Sequence, residues 1–526
     1  MFVVPPGFDQ SDIPPPTPIS LPRYQPLAQD GASIDASTSL SNLLLTTGRE
    51  QVALGPTGLS AIGLDLKADA NLSELIPEPS LIPDFARWSH MSIDEAQAAN
   101  QSTRQPLRTG LSAPGCHVYT ERKRELSNTN EAAFRTVRRL PPPRGKQHAR
   151  LGNAYEFFRC LELYTTFWDD PTKPPSLPPS PELSASDTTA DATATAEHPS
   201  NSPDIGNGGE PNRCLPSPAR TAAGHQMPMD YRTSLIAAFI KLVAYDFGCN
   251  VASARVEPRL QMKSPRGHAG SPRKSYCSSR CQFIFQSPRT REAARAGLAY
   301  GPVAAVSCRP TVNFATPTVE AAQSLDLARE VIAALITAQH RAREGRNEIR
   351  FGHGEWWTTR RRWGGGPGGP IGREIAKDDI SGDKDASPAE TEDGQMPGPK
   401  RPRKNLAMYD NYRMVRPPAS TWDRKLRYEA IGKQHEKDHD DIFVVSSLFH
   451  HVSIMRVRVP VRLLEVLDGA PEPDATQRSW GNVTAWRSPW YDLFDTSQRI
   501  AAMEAMWSVM AYQMRDDTGH GSGSPE

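Results

Sequence analysis

The sequence predicts an α+β fold: a single discontinuous domain with long disordered insertions. Three observations lead there. Apolar residues recur at helical spacing in some stretches and in short strand-like runs in others, without regular alternation. Between them the chain turns to proline, serine and glycine, and its 49 prolines in 526 residues are nearly double the ~5% of average usage. No periodic stretch alone holds enough apolar residues for a core, so the economical arrangement assembles them all into one.

In chain order, residues 1–84 carry Pro14-Pro15-Pro16-Thr17-Pro18 and leucines without period, the pattern of a disordered N-terminal arm. Residues 85–170 begin the domain, with Tyr155, Phe158, Leu161, Tyr164 and Trp168 at three- and four-residue spacing on a helix that Pro171 ends. Over 171–229 prolines give way to Ser, Thr, Ala and Asp, with too little apolar surface to offset the entropy of ordering, so a disordered insertion is expected. The second part, 230–363, opens with a helix over 230–247, capped by Asp230 and apolar on nearly all sides. Residues 257–275 read as a loop, 281–285 and 303–308 as strands, and 291–298 as a helix between them. Leu325, Ala328, Ile332, Leu335 and Gln339 then trace one stripe of a long helix over 318–344. A second disordered stretch, 364–420, passes from glycines through an acidic block into a basic one. The third part, 421–515, reads as a helix over 423–433, strands over 442–449 and 452–459, and a final helix over 496–515. Ile500, Met503, Met506, Trp507, Met510 and Met514 on that helix are expected to close the core, and 516–526 to form a disordered tail. Loop-closure entropy rises only logarithmically with length, so insertions of this size are tolerable.

Charge excludes a global field. The chain has 61 Lys and Arg against 60 Asp and Glu, so any nucleic-acid or lipid partner must be met by a local patch. Seven cysteines, odd in number and scattered, fit reduced intracellular thiols without a disulfide framework. No apolar run is long enough to span a bilayer, and residues 1–8 lack the charged and apolar regions of a secretory signal. A soluble protein without a membrane partner is expected.

Several segments bear on chemistry. His435-Glu436-Lys437-Asp438-His439 matches H-E-x-x-H, in which two histidines one helical turn apart hold zinc and the glutamate is a general base. A metal-dependent hydrolase using His435, Glu436 and His439 is therefore the one nameable enzymatic alternative. The surrounding charges and the β-run starting at Ile442 oppose it, and only Glu465, His450 and His451 stand near as a third ligand. Cys277 and Cys281, with Cys249, Cys308 and His268, offer zinc-type donors but no Cys-x-x-Cys pair, and plain core thiols are the favoured reading of them. Gly364-Gly365-Gly366-Pro367-Gly368-Gly369 has the letters of a dinucleotide loop without the flanking strand and helix, and its prolines remove amides. No cofactor is implied, and no catalytic triad or carboxylate pair assembles from local context.

Trp356, Trp357, Arg360, Arg361, Arg362 and Trp363 concentrate aromatic and guanidinium groups in a few residues. Such a set grips a protein partner or stacks nucleic-acid bases; alternatively the tryptophans anchor a loop to the core. Lys400, Arg401, Arg403 and Lys404 form a compact basic run in a linker expected to be disordered, the pattern a nuclear-import receptor reads. A second basic region, 104–150, lacks interleaved aromatics and reads as a solvated approach to the fold. Ser-Pro pairs such as Ser271-Pro272 recur in the expected loops.

Trp356-Trp357-Thr358-Thr359 with Arg362-Trp363 and the following glycines, Arg416-Pro417-Pro418-Ala419-Ser420, Trp422-Asp423, Asp441-Ile442-Phe443-Val444-Val445-Ser446 with His450-His451, and Trp490-Tyr491-Asp492-Leu493-Phe494 stand out together. In these the C-terminal half resembles a group of uncharacterised filamentous-fungal proteins. The resemblance implies no activity; it implies that the Trp/Arg/Gly segment is a shared feature. The reading favoured by the sequence is a non-enzymatic interaction or regulatory protein, nuclear or nucleo-cytoplasmic, with a protein partner.

Overall fold

The fold is that of a computed structural model, which describes residues 19, 21–22, 40–46, 56–167, 222–252, 257–265, 272–286, 298–309, 319–344, 427–434, 437–472 and 481–516. The strands are β1 (Asp65–Lys67), β2 (Cys249–Ala252), β3 (Arg259–Lys263), β4 (Lys274–Ser278), β5 (Gln282–Gln286), β6 (Leu298–Cys308), β7 (Arg427–Glu429), β8 (His439–Leu448), β9 (His451–Pro460), β10 (Thr484–Arg487) and β11 (Tyr491–Asp492). The α-helices among the described residues are α1 (Leu40–Thr46), α2 (Pro56–Ala61), α3 (Leu72–Leu75), α4 (Phe85–His90), α5 (Ile93–Ala99), α6 (Cys116–Leu126), α7 (Asn130–Val137), α8 (Tyr155–Tyr164), α9 (Met229–Ala244), α10 (Val319–Arg341), α11 (Val461–Leu467) and α12 (Thr496–Met514).

One mixed sheet runs β1-β10-β9-β8-β6-β5-β2, with β7 added beside β6 and β11 beside β9, while β3 and β4 form a separate hairpin. The sheet draws its strands from the second and third predicted parts and from β1, while the first part packs helices on it, so the α+β class and its discontinuous assembly stand. β6 and β8 pair in parallel, and α10 lies in the chain between them, as a parallel connection requires.

Two apolar clusters flank the sheet. Phe443 and Val445 of β8 join α4 to α9 and α12 in one, while Ile442 and Val444 join α1, α2, α10, α11 and the β3-β4 hairpin in the other. The period-two alternation of side chains on a strand sends neighbours to opposite faces, and both faces are covered, which explains the continuous apolar run Ile442-Phe443-Val444-Val445 at the middle of β8. Met503, Met506, Trp507, Met510 and Met514 are buried, closing the core as their spacing predicts, while Ile500 packs against its edge only partly buried. On α10 Ala328, Ile332 and Leu335 are buried, but Leu325 is 50% exposed. Gln339 instead clamps the hairpin edge, accepting from the Gln261 amide at 3.0 Å and donating to its carbonyl at 2.8 Å.

Several expectations are corrected. The predicted N-terminal arm contains α1, α2, β1 and α3, and β1 pairs in parallel with β10 through Asp65–Thr484, Leu66–Ala485 and Lys67–Trp486. Short elements capped by polar side chains leave little periodicity; α3 depends on a capping box between Asn71 and Glu74. The loop predicted over 257–275 holds β3 and the start of β4, whose alternating burial is carried by few residues. The helix predicted over 423–433 contains β7, a strand defined by its long-range partner β6. Leu298, predicted as a helix end, opens β6. The basic region over 104–150 is folded: Arg122 of α6 is 7% exposed and pairs bidentately with Asp246 at 2.9 Å, and Arg138 meets Glu162 at 2.7 Å. No helix among the described residues is long and apolar enough to cross a membrane.

Candidate functional site

Buried charged clusters stand at the two ends of the sheet. At one end, where β8 starts, Arg341 of α10 is fully buried. Its Nε donates to the Pro302 carbonyl at 2.7 Å, Nη1 to Asp440 Oδ1 at 2.9 Å, and Nη2 to the Val303 carbonyl at 2.6 Å and Gln513 Oε1 at 2.8 Å. Burial pushes the Asp440 carboxyl up, and the Arg341 guanidinium opposes that. Gln513 in turn donates to the Asp441 carbonyl at 3.1 Å. Gly432 packs against this amide with φ +81°, and a Cβ there would meet Gln513 Oε1 at 1.7 Å, so both the turn and the close approach require glycine. Glu344, just past α10, accepts from the Ala430 amide at 2.9 Å. The two flanks of 345–426 are thus joined to each other and rooted on a buried cation.

The opposite end holds a buried ionic cluster. Glu330 of α10 pairs with Arg309 and Arg487 and accepts from Ser446, while Arg309 Nε reaches Asp326 Oδ1 at 2.6 Å. The half-buried Trp490 lies over both guanidinium groups, at 4.8 Å from Arg309 and 5.5 Å from Arg487. Two Arg and two carboxylates balance, and breaking such a buried set from one side is strongly destabilising.

At this same end β8 and β9 are joined by the two-residue turn Phe449-His450, since Leu448 pairs with His451. Phe449 adopts φ +55°, an uncommon conformation for a bulky residue. The turn is held by Tyr164 Oη donating to the Phe449 carbonyl at 3.3 Å and by the Leu493 amide donating to the His450 carbonyl at 3.1 Å. β11 pairs Asp492 with His451, which places those side chains as neighbours on one face. His450, His451 and Asp492 therefore converge, each with one ligand-type atom within 4.8 Å of the others'. His450 Nε2 stands 3.5 Å from Asp492 Oδ1, and the two imidazoles lie 4.3 Å apart, tilted by 37°. Burial holds His450 well below the ordinary histidine range, with His451 adding to it, and burial brings His451 down to about 4. Both rings are neutral at pH 7, the form in which imidazole ligates metals.

Of the residues singled out by sequence, Trp356, Trp357, Arg360, Arg361, Arg362 and Trp363 lie outside the described residues, as do Lys400, Arg401, Arg403, Lys404, His435, Glu436, His268 and the glycine run. His439 opens a strand, with its Nδ1 2.7 Å from Asp438, so the helical placement on which the H-E-x-x-H reading depends is absent at that residue. Glu465 instead pairs with Arg462 on α11. Cys277 and Cys281 belong to one apolar cluster and Cys249 to the other, with the sheet between them. Burial pushes the Cys281 thiol up to about 11, consistent with a core cysteine. By sequence His450 and His451 stand out as near candidates for a third ligand and as part of the resemblance, not as a cluster of their own. The signal that finds their own cluster is two adjacent histidines at the joint of consecutive β-runs, followed by an acidic residue in a later extended segment. No family model, curated protein or solved structure matches this chain.

Proposed function

We propose that this protein is a non-enzymatic interaction factor, nuclear or nucleo-cytoplasmic, that displays the segment 345–426 from a rigid root. The observation that supports this reading is the Glu344–Ala430 hydrogen bond beside Arg341. A long excursion that leaves and returns at one well-anchored point costs the fold little, and its sequence is concentrated in groups that bind. Trp356, Trp357, Arg360, Arg361, Arg362 and Trp363 supply aromatic and guanidinium contacts for a protein partner. Lys400, Arg401, Arg403 and Lys404 supply the basic run for an import receptor.

The test is a full-length fluorescent fusion. The wild type is expected in the nucleus, and the variant with Lys400, Arg401, Arg403 and Lys404 changed to Ala in the cytoplasm, with the same melting temperature. A cytoplasmic wild-type fusion refutes the import role. Unchanged partner binding after Arg360, Arg361 and Arg362 are changed to Ala refutes the contact role.

A further inference from the structure

We propose that His450, His451 and Asp492 form a binding site for a divalent first-row transition cation, zinc foremost, with at least one coordination position left open. Two imidazoles and a carboxylate are the donor set of such cations, whereas magnesium and calcium take oxygen shells. Zinc bonds of about 2.0–2.2 Å at tetrahedral angles separate ligand atoms by roughly 3.3–3.6 Å. The 3.5 Å between His450 Nε2 and Asp492 Oδ1 already has that spacing. All three ligand atoms lie within 4.8 Å of one another, so side-chain rotation of about an ångström at most brings them to that spacing.

Three separate backbone constraints bring the donors together. The turn fixes His450, the β9–β11 register fixes His451 beside Asp492, and the Phe494 amide donates to Asp492 Oδ1 at 2.8 Å. That last bond orients a ligating carboxylate as outer-shell partners do in metal sites. The ring of Phe494 meets His450 edge-on at 5.0 Å and restricts its rotation. His451 Nδ1 is buried and has no hydrogen-bond partner among the described residues, a state that a metal or an outer-shell acceptor would relieve. Among the described residues this is the one group of three His, Cys, Asp or Glu side chains that meets in this way. The site lies where the flanks of 168–221 dock, since Tyr164 and Arg232 both pack on Phe449, at 5.2 and 5.7 Å.

The test is titration of the metal-free, full-length protein with zinc by calorimetry, and with cobalt by visible absorption. The site predicts one equivalent bound with micromolar or tighter affinity, and cobalt bands of a low-symmetry four- or five-coordinate ion. His451→Ala is expected to weaken binding by about 100-fold. Asp492→Asn keeps an oxygen acceptor for the Phe494 amide, so it preserves the turn, and is expected to weaken binding at least tenfold. Absence of binding by the wild type overturns the proposal. So does undiminished binding by either variant, which would place the metal at other histidines.

Discussion

The two ends of the central sheet handle charge in different ways. At the Arg341 end the chain supplies the cation and every acceptor around it: two carbonyls, Asp440 and Gln513. At the other end the Glu330 cluster is equally self-contained, yet a few residues along the same strand ends His450, His451 and Asp492 gather acceptor groups around a point that suits a cation. The described residues flanking 345–426 meet at the first end, and those near 168–221 pack at the second. A guanidinium with its own acceptors is a structural rivet. Two neutral imidazoles beside a carboxylate are a ligand set, and the contrast predicts that perturbing the first end changes stability whatever the solution contains, whereas the second responds to metal and acid.

The largest effect is expected at the rivet. Arg341→Ala leaves Asp440 and two carbonyls buried without their donor, a loss of about 3–5 kcal/mol, read as a large drop in the denaturant midpoint. If Arg341→Ala unfolds with a near wild-type midpoint, the contrast between the ends fails.

Acid should act at the other end. His451 has a folded value of about 4 against an ordinary 6.5, so the unfolded chain takes up its proton first as pH falls. Its contribution is fully present above pH 6.5 and is lost between 6.5 and 4, by up to about 3 kcal/mol. Chemical denaturation across that window, compared with His451→Asn, isolates this share: the variant should show a shallower decline. Parallel declines would mean that other groups dominate.

A smaller loss, about 1–3 kcal/mol, is expected for Gly432→Ala, from the contact with Gln513 and the positive φ. Hydrogen exchange should then quicken at Ala430 and Gln513 while the turn at Phe449 and His450 keeps its protection. Equal quickening at both places would show that the two ends do not act independently.

The sequence makes the fold legible where a long element carries its own period. α9, α10, α12, β8 and β9 are visible because their apolar faces repeat over many residues. β1 and β7 are not, since three-residue strands are defined by partners far along the chain, and α4 to α7 are masked by charges such as Arg122 that are spent on buried pairs. The histidine cluster was half visible: His450-His451 at a strand joint can be read, but Asp492 reaches them only through the β9–β11 register. The charges in Arg341, Arg309 and Glu330 give no hint of burial, because each is neutralised by residues that only the sheet brings near.

The most direct test of the contrast is thermal unfolding of the full-length protein with and without zinc at a hundredfold excess over its Kd. Wild type and Arg341→Lys should each be stabilised by about 2.7 kcal/mol, although Arg341→Lys starts from a lower melting temperature, and His451→Ala, binding about 100-fold more weakly, by only about 0.4 kcal/mol. A zinc response that is absent from the wild type, or that persists undiminished in His451→Ala, would contradict the account.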